Sequence, residues 1–408
     1  MRLIFSSALW MAIWGGMFTG YYNLRFLSST DPFMFFQGFR ALLPLFSLYV
    51  CLIWLFKERT RFPFFKDPLG FLFLYSIVGV TTSLLLSPLM GQSIYWAGVY
   101  LAPLFMMWVV LRDREAKLLL RFICYINYGV FFMLTFLLLP EAVKIFRGQA
   151  GFSAFYNLPL GFGGVTKNGV GRYAMIVIIV AAMRFLSETR RRRRYIWLAI
   201  VFPAMFLLMQ TQSRTALLGL AVCSALYVIM KGIDWRYLLA GPLVIFILWF
   251  SGYRMRAQGR LDALLNLSGR EATWGRAFQL IGQSPFLGWG FDADRIMINQ
   301  EHIHNSYIHA SIQVGIVGAL LFFAALVSIW LLVLKTRLLK HTRDIKGEDQ
   351  TVLQESILIV AFLTARSFFE STAAFYGVDL LLIVPAMAFI SLYAYESRPA
   401  ESDLAEVT

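Results

Sequence analysis

Long apolar runs constrain the fold of this chain more than any other feature. Of its 408 residues, 59% are hydrophobic and 15% are charged, with a mean hydropathy of +0.66. Soluble domains are far less apolar, so the composition indicates an integral membrane protein. We predict twelve spanning helices of about 17 to 25 residues each. They lie near residues 3–22, 33–56, 69–86, 94–111, 118–139, 170–186, 195–212, 214–231, 237–252, 306–334, 351–369 and 374–394.

The basic residues predict how these helices are oriented. The net charge is +14, but most Lys and Arg lie in short loops, where they orient a membrane protein rather than bind nucleic acid. By this rule the basic loops and both termini are cytoplasmic, and the long loop 253–303 faces outside. The predicted organisation is helices 1 to 9 in residues 1–252, an outer loop with short helices in 253–303, helices 10 to 12 in 304–394 and a cytoplasmic tail in 395–408. The three cysteines lie in apolar runs and imply no disulfide framework.

The outer loop is unusually rich in arginine for the outer side of a membrane. One interpretation is a solvated or headgroup-facing surface. The other is a binding site for an anionic group, and phosphate suits the fork geometry of the guanidinium. The loop arginines are Arg254, Arg256, Arg260, Arg270, Arg276 and Arg295.

The same loop contains the pattern of a short helix that docks on the bundle. Residues 268–271 read Ser-Gly-Arg-Glu, a capping box, so we expect a helix with Arg270 in its first turn. Ser284 and Pro285 end it, and Asp292 or Asp294 can cap the next helix. The apolar stripe of the first helix consists of Trp274, Ala277, Phe278 and Ile281.

Ionisable residues inside the spans gather towards the outer side, where they predict a functional cavity, with structural ion pairs as the alternative. Arg366 and Glu370 are four residues apart on one helix and able to pair. The segment 163–172 offers backbone N–H groups, Lys167 and Arg172 to an anion. The outer-side set is Arg40, Arg172, Arg214, Arg366, Glu370 and Asp379. Near the inner ends lie Arg121, Arg184 and Glu355, where snorkelling suffices.

His304 is the candidate catalytic base, because it stands where the polar outer loop gives way to an apolar run. A histidine titrates near pH 6.5, so it can accept a proton at neutral pH. The alternative is a histidine that anchors a helix at the membrane interface. A zinc site formed with His302 and His309 is disfavoured, because positions 304 and 309 do not share a helical face. Asp292 and Asp294 could bind a divalent metal, but helix capping explains them as well.

These residues together resemble the O-antigen ligase and polymerase family of bacterial envelope enzymes. The signature His-Asn, nine residues, Gly, two residues, Gly is met by His304, Asn305, Gly315 and Gly318. A second motif, Arg, three residues, Leu, matches Arg214 and Leu218. A third matches Gly269-Arg270, Trp274 and the Pro-Phe-Leu-Gly turn at 285–288. The pair Lys167-Asn168 stands where the family often has His-Asn or Lys-Asn.

The resemblance implies an all-α, polytopic, GT-C-like membrane protein with about twelve transmembrane helices and one helical periplasmic loop. It also implies transfer of a glycan from undecaprenyl diphosphate to an acceptor hydroxyl, commonly on lipid A core, with inversion and without a metal or other cofactor. The expected location is the bacterial inner membrane, with the active site facing the periplasm.

On this interpretation His304, Arg214 and Arg270 are catalytic: the histidine deprotonates the acceptor and the arginines hold the diphosphate. Alternatives are a polymerase that joins lipid-linked repeat units, a flippase, and transfer to a protein hydroxyl. Only one outer loop is long, which favours a ligase over a polymerase. The expected substrate-binding residues are Arg40, Lys167, Asn168, Arg172, Trp274, Arg276, Asn305 and Arg366.

Overall fold

The computed structural model describes residues 2–18, 32–57, 68–151, 166–233, 270–298, 302–342, 344–345 and 347–396, and over these residues it contains helices and no β-strand. The predicted ninth span, 237–252, and residues 253–269 of the outer loop lie outside the described residues. The helices are α1 (Arg2–Gly15), α2 (Pro32–Lys57), α3 (Pro68–Leu85), α4 (Met90–Leu111), α5 (Ala116–Phe146), α6 (Lys167–Ser187), α7 (Arg191–Thr211), α8 (Arg214–Lys231), α9 (Arg270–Gln283), α10 (Ala293–Met297), α11 (Ser306–Lys335), α12 (Leu338–His341), α13 (Glu348–Ser367) and α14 (Val378–Glu396).

Nine helices of the described part are long and apolar enough to cross a membrane: α2 to α8, α11 and α14. Two other predicted spans correspond to α1, which has 14 residues, and to α13, which carries four ionisable residues. The prediction of an all-α polytopic membrane protein is therefore confirmed.

The largest departure from the predicted helix boundaries is in α5. The fifth span does not end at 139, because α5 continues through Pro140 to Phe146. Neighbouring helices in a membrane protein can compensate for the hydrogen bond that a proline removes. The seventh helix begins at Arg191, four residues before the predicted span, so four of the five consecutive arginines lie in its first turn.

The centre of the bundle is α14, which is buried along nearly its whole length. Asn127 of α5 connects it to two other helices. The side-chain oxygen of Asn127 accepts hydrogen bonds from the indoles of Trp10 and Trp14 at 2.7 and 2.8 Å, and its amide donates to the carbonyl of Leu381 at 2.8 Å. A buried amide with all these partners fixes α1, α5 and α14 relative to one another, because an unpaired one would be costly in this apolar setting.

Charged residues near the predicted inner ends form ion pairs, which the expectation of snorkelling does not include. Arg184 Nε lies 2.7 Å from Glu355, whose side chain is fully buried, and its Nη1 lies 2.8 Å from Glu348. Arg121 pairs with Asp349 at 2.9 Å. These pairs join α5 and α6 to the first half of α13, while Arg366 lies near the other end of α13, beside His304. We call that other end of the bundle the site end.

Candidate active site

The site end is organised by the short segment that precedes α11. Asn305 is the N-cap of α11, and its side-chain oxygen accepts hydrogen bonds from the backbone N–H groups of Tyr307 and Ile308 at 2.9 and 3.0 Å. Its amide donates to the carbonyl of Phe368 at 3.0 Å. Asparagine is a strong helix N-cap, so the His-Asn motif both starts α11 and ties it to the end of α13. His304, one residue earlier, has a left-handed backbone with φ 54°.

His304 forms a hydrogen-bonded dyad with Glu370, which lies in the turn between α13 and α14. The distance from His304 Nδ1 to Glu370 Oε2 is 2.8 Å, and the side chains are 31% and 7% exposed respectively. Burial alone raises the pKa of the Glu370 carboxyl, but the hydrogen bond from His304 and the charges of Arg366 and Arg270 outweigh it and lower the pKa to about 2. The carboxylate is therefore ionised at neutral pH. It holds the proton on Nδ1 and leaves Nε2 of the ring as the proton acceptor.

The second oxygen of Glu370 is held by two residues that the sequence predicts to bind substrate or to be catalytic. Asn168, in the first turn of α6, donates to Oε1 at 2.6 Å. Arg270, the first residue of α9, lies 3.3 Å from the same oxygen and also donates to the carbonyl of Phe369 at 2.9 Å. Three elements that are distant in sequence thus meet at one carboxylate, and Arg270 places a guanidinium beside the dyad.

A chain of buried charges lies behind the dyad. Arg366 Nη2 is 3.9 Å from Glu370, and its Nη1 is 2.8 Å from Asp379 of α14. Arg172 of α6 contacts the same Asp379 oxygen at 3.0 Å. The predicted pairing of Arg366 with Glu370 is confirmed as its longer contact, while its shorter one is with Asp379. Two cations around one anion leave net positive charge near Glu370, and this contributes to its ionisation.

Helix α9 docks close to His304. The indole of Trp274 donates to the carbonyl of Ile303 at 2.7 Å, directly before the histidine. A helix beginning at Arg270 and ending before Ser284 is confirmed, whereas Ser268 and Gly269 of the capping box lie outside the described residues. The predicted stripe is wrong at Phe278, which is 57% exposed. The docked face instead includes Trp274, Ala277, Leu280 and Ile281, packed against Ile298, Ile303, Ile308 and Ile312.

The glycine of the His-Asn motif breaks α11. Gly315 has φ 69° and ψ −173° inside the helix, and the turn 285–290 occupies the break. Ile316 N donates to the carbonyl of Pro285, and Trp289 N donates to that of Ile312, both at 2.8 Å. A Cβ on Gly315 would collide with the carbonyl of Phe286, and one on Gly288 would lie 2.5 Å from Gly315 N. The two motifs therefore form one joint between the loop and α11, and only glycine fits there.

A second polar cluster is buried under this joint. His309 Nδ1 lies 3.3 Å from Asp294, and His309 Nε2 lies 2.8 Å from the amide of Gln313. Asp292 instead accepts a hydrogen bond from Gln92 of α4 at 2.7 Å. Asp292 occupies the N-cap position of α10, as predicted, but its backbone is left-handed and its side chain makes no capping hydrogen bond, while Asp294 lies within the helix. Burial and the neighbouring Asp294 raise the pKa of Asp292 to about 6.

His302 lies next to the dyad but has a different electrostatic setting. Its ring centroid is 5.7 Å from that of His304. Burial, together with the charges of Arg295 and His304, lowers its pKa to about 4. His302 is therefore neutral at pH 7, whereas His304 faces an ionised carboxylate.

The structure brings part of the predicted site together. His304, Asn168, Arg270 and Arg366 all contact Glu370, Arg172 joins them through Asp379, and Asn305 and Trp274 fix the backbone on either side. The other predicted residues are placed differently. Arg40 lies on α2, which packs mainly on α1 and α4. The side chains of Lys167, Arg214 and Arg276 are exposed.

Glu370 is the central residue that the sequence-based site omits. Its four-residue spacing from Arg366 marks it as an ion-pair partner, but nothing in that spacing indicates a contact with His304. The arrangement can accept a proton at His304 Nε2 and can stabilise negative charge at Arg270. It thus suits attack by a hydroxyl group on a substrate with an anionic leaving group.

Comparison with known proteins bears on this chemistry. The family model described as O-antigen ligase matches residues 198–323, a segment that contains Arg214, Arg270 and His304 but not Glu370. Among curated proteins none matches the chain at a significant level. The match supports a glycan-transferring membrane enzyme of the O-antigen ligase type. Over residues 198–323, the chain is similar to the O-antigen ligase family, as its motifs predict.

Proposed function

We propose that the protein transfers a glycan from undecaprenyl diphosphate to a hydroxyl group of an acceptor, a sugar of the lipid A core. On this proposal the reaction takes place at the periplasmic face of the bacterial inner membrane. The observation that carries the proposal is the His304–Glu370 dyad with the Arg270 guanidinium beside it, at one end of a helical membrane bundle. A base next to a fixed cation is what attack by a hydroxyl on a glycosyl diphosphate requires.

The proposed step breaks one bond and forms one. The acceptor oxygen attacks the anomeric carbon of the donor glycan from the face opposite the diphosphate, so the configuration inverts. The bond between that carbon and the phosphate oxygen breaks, and its electron pair leaves with undecaprenyl diphosphate. His304 Nε2 takes the hydroxyl proton, and Glu370 stabilises the imidazolium that forms, as the carboxylate does in other histidine–carboxylate pairs.

Two arginines bind the diphosphate leaving group in this proposal. Arg270 is held by the Phe369 carbonyl and by Glu370, so its guanidinium is oriented before the substrate arrives. Arg214 begins α8 and is exposed, and we assign it to the diphosphate from the other side. Preorganised cations cost no reorganisation as charge develops on the leaving oxygen. No metal takes part in the proposed step.

The test uses purified protein in proteoliposomes with a pre-formed lipid-linked polymer as donor and lipid A core as the only acceptor. Transfer of the polymer to the core supports the proposal, and His304→Ala should reduce it by about 10²- to 10⁴-fold. His302→Ala is the matched control and should be much milder, since its pKa of about 4 makes it a poor base.

A polymerase is the second candidate, and the same preparation separates the two. If nothing moves to the core while single lipid-linked repeat units grow into a ladder, the ligase assignment is wrong. His304 and Arg270 would then act on a different acceptor. If His304→Ala supports transfer at the normal rate, the role of the dyad is wrong for both enzymes.

A further inference from the structure

The site end carries a group of exposed apolar side chains that the proposed chemistry does not use. Two are in the turn after α9, where Phe286 is 69% exposed and Leu287 is 41% exposed. The others are at the end of α3, in the turn that follows it and at the start of α4, and among them Leu85 is 69% exposed. We call the group the apolar rim, and its members are Leu84, Leu85, Leu86, Leu89, Met90, Phe286 and Leu287.

The two turns of the rim are connected through the joint with α11. Phe291 N donates to Ser83 Oγ at 3.0 Å near the end of α3. A Cβ on Gly290 would lie 2.9 Å from Ser83 Cα and 3.1 Å from Cβ of Ser87 in the turn. Gly290 N also donates to the carbonyl of Gln313 at 2.8 Å. The rim is therefore one fixed feature of the structure rather than two independent loops.

The position of the rim along α11 indicates its depth. Its turn 285–287 contacts α11 at Gly315 and Ile316. From Gly315 to Lys335, where α11 ends, the helix runs about 30 Å at 1.5 Å per residue. This length equals the hydrocarbon thickness of a bilayer, about 30 Å. The exposed side chains of α11 in this part are apolar: Ile316, Val317, Leu320, Phe323, Val327, Leu331 and Leu334.

The chemistry of the neighbouring residues agrees with this depth. Between Ser83 and Ser93 the chain has no charged residue, although the turn in this segment lies at the end of the bundle. Residues 306–314 of α11 have no exposed side chain, whereas from Ile316 to Leu334 the exposed side chains of α11 are all apolar. The exposed apolar surface of α11 therefore begins at the level of the rim.

We propose that the apolar rim is immersed in the acyl chains of the membrane leaflet on the His304 side. The turn after α9 is then anchored in the lipid, and α9 is held at a fixed depth relative to the membrane. The occupant is the bilayer itself, because the rim continues the lipid-facing surface of α11 without a polar interruption. Exposed apolar patches of this kind mark membrane or protein contacts.

The test places a fluorescent probe at the rim in the full-length protein in phosphatidylcholine vesicles. Phe286→Cys is labelled with an environment-sensitive fluorophore. Background labelling is measured in the protein without this substitution, whose three cysteines are buried. Quenching is compared for lipids that carry a nitroxide at carbon 5 or carbon 12 and for aqueous iodide. Leu320→Cys is the lipid-facing reference, and Glu271→Cys, on the exposed side of α9, is the matched aqueous control.

We expect the probe at 286 to be quenched at least twofold more by the shallow nitroxide than by the deep one, and weakly by iodide. The probe at 320 should respond to both nitroxides, and the probe at 271 mainly to iodide. If the probe at 286 behaves like the probe at 271, the proposal is wrong. Protection from both nitroxides and iodide would also overturn it, because a protein surface would then cover the rim. Neither readout needs enzymatic activity, so the result is independent of the proposed function.

Discussion

Replacing Glu370 by glutamine tests the dyad most directly, because the side chain keeps its shape and loses only its charge and one acceptor. The orientation of the new amide follows from its neighbours. Asn168 donates to Oε1 at 2.6 Å, and Arg270 approaches the same oxygen at 3.3 Å. The glutamine oxygen must therefore take the Oε1 position, and its NH₂ group then faces His304 Nδ1.

An NH₂ group in that position reverses the hydrogen bond of the imidazole. His304 Nδ1 must now accept, so its proton moves to Nε2, and the nitrogen that faces the acceptor hydroxyl can no longer take a proton. We expect kcat to fall by about 10²- to 10⁴-fold, the usual contribution of a positioned base. At about 1.36 kcal/mol per tenfold, this is about 3 to 5 kcal/mol of lost transition-state stabilisation.

The assay measures initial rates of polymer transfer to lipid A core in proteoliposomes, with the donor concentration varied to separate kcat from KM. The expected loss is in kcat, with the KM for the donor little changed. A compensating substitution tests the tautomer directly. In Glu370→Gln with Asn168→Asp, the new carboxylate accepts from both the glutamine NH₂ and the Arg270 guanidinium, so the glutamine oxygen turns back towards His304. We expect the kcat of this double variant to be at least tenfold higher than that of Glu370→Gln alone.

Two results would refute this reasoning. Normal kcat in Glu370→Gln would mean that Glu370 does not orient the catalytic imidazole. A low kcat that Asn168→Asp does not improve, in a protein with unchanged thermal stability, would mean that the charge of Glu370 matters but the amide orientation does not.

Three further predictions concern the cations, metals and the joint. Arg270→Ala should lower the transfer rate by about 10²-fold or more. Arg270→Lys should have a transfer rate between those of Arg270→Ala and the unsubstituted protein in the same assay, because lysine lacks the fork that bridges two acceptors. Chelation with EDTA should leave the initial rate unchanged, and a loss that Mg²⁺ or Mn²⁺ restores would instead make Asp292 and Asp294 candidate ligands. Gly315→Ala should destabilise the protein by about 1–3 kcal/mol, measured as a lower unfolding temperature, because its backbone is left-handed and its Cβ would meet Phe286. Gly275→Ala, with open space around the added Cβ, is the control and should not lower it.

The sequence predicts the membrane class and much of the helix order because both depend on local patterns. An apolar run of spanning length needs no partner to be recognised, and α8 begins and ends as predicted, at Arg214 and Lys231. Where the prediction is wrong, tertiary packing decides. The α5 helix continues through Pro140, a residue that transmembrane helices tolerate. The docked face of α9 includes Leu280 rather than Phe278 because its packing partners, Ile298, Ile303 and Ile312, come from later in the chain.

The candidate site is predicted only as far as each residue carries its own signal. His304 and Arg270 are conspicuous because each stands at the edge of an element, and the structure brings both to the same place. Glu370 has no such signal, since its role depends on α6, α9 and the start of α11 meeting the turn after α13. Asp292 and Asp294 resemble caps by spacing, yet their partners Gln92 and His309 lie on other helices, and such distant partners cannot be deduced from a local pattern.

The left-handed backbone of His304 has a consequence for how this position can change during evolution. A side chain with a Cβ gives up about 1 kcal/mol or more in that conformation, whereas glycine adopts it at little cost and asparagine does so readily. The backbone at position 304 therefore favours glycine or asparagine, while the 2.8 Å contact with Glu370 and the proposed chemistry favour histidine. We expect that a lineage which no longer needs the reaction would lose the charge at position 370 and drift to glycine or asparagine at position 304, so His304 and Glu370 retained together would report continuing selection on activity.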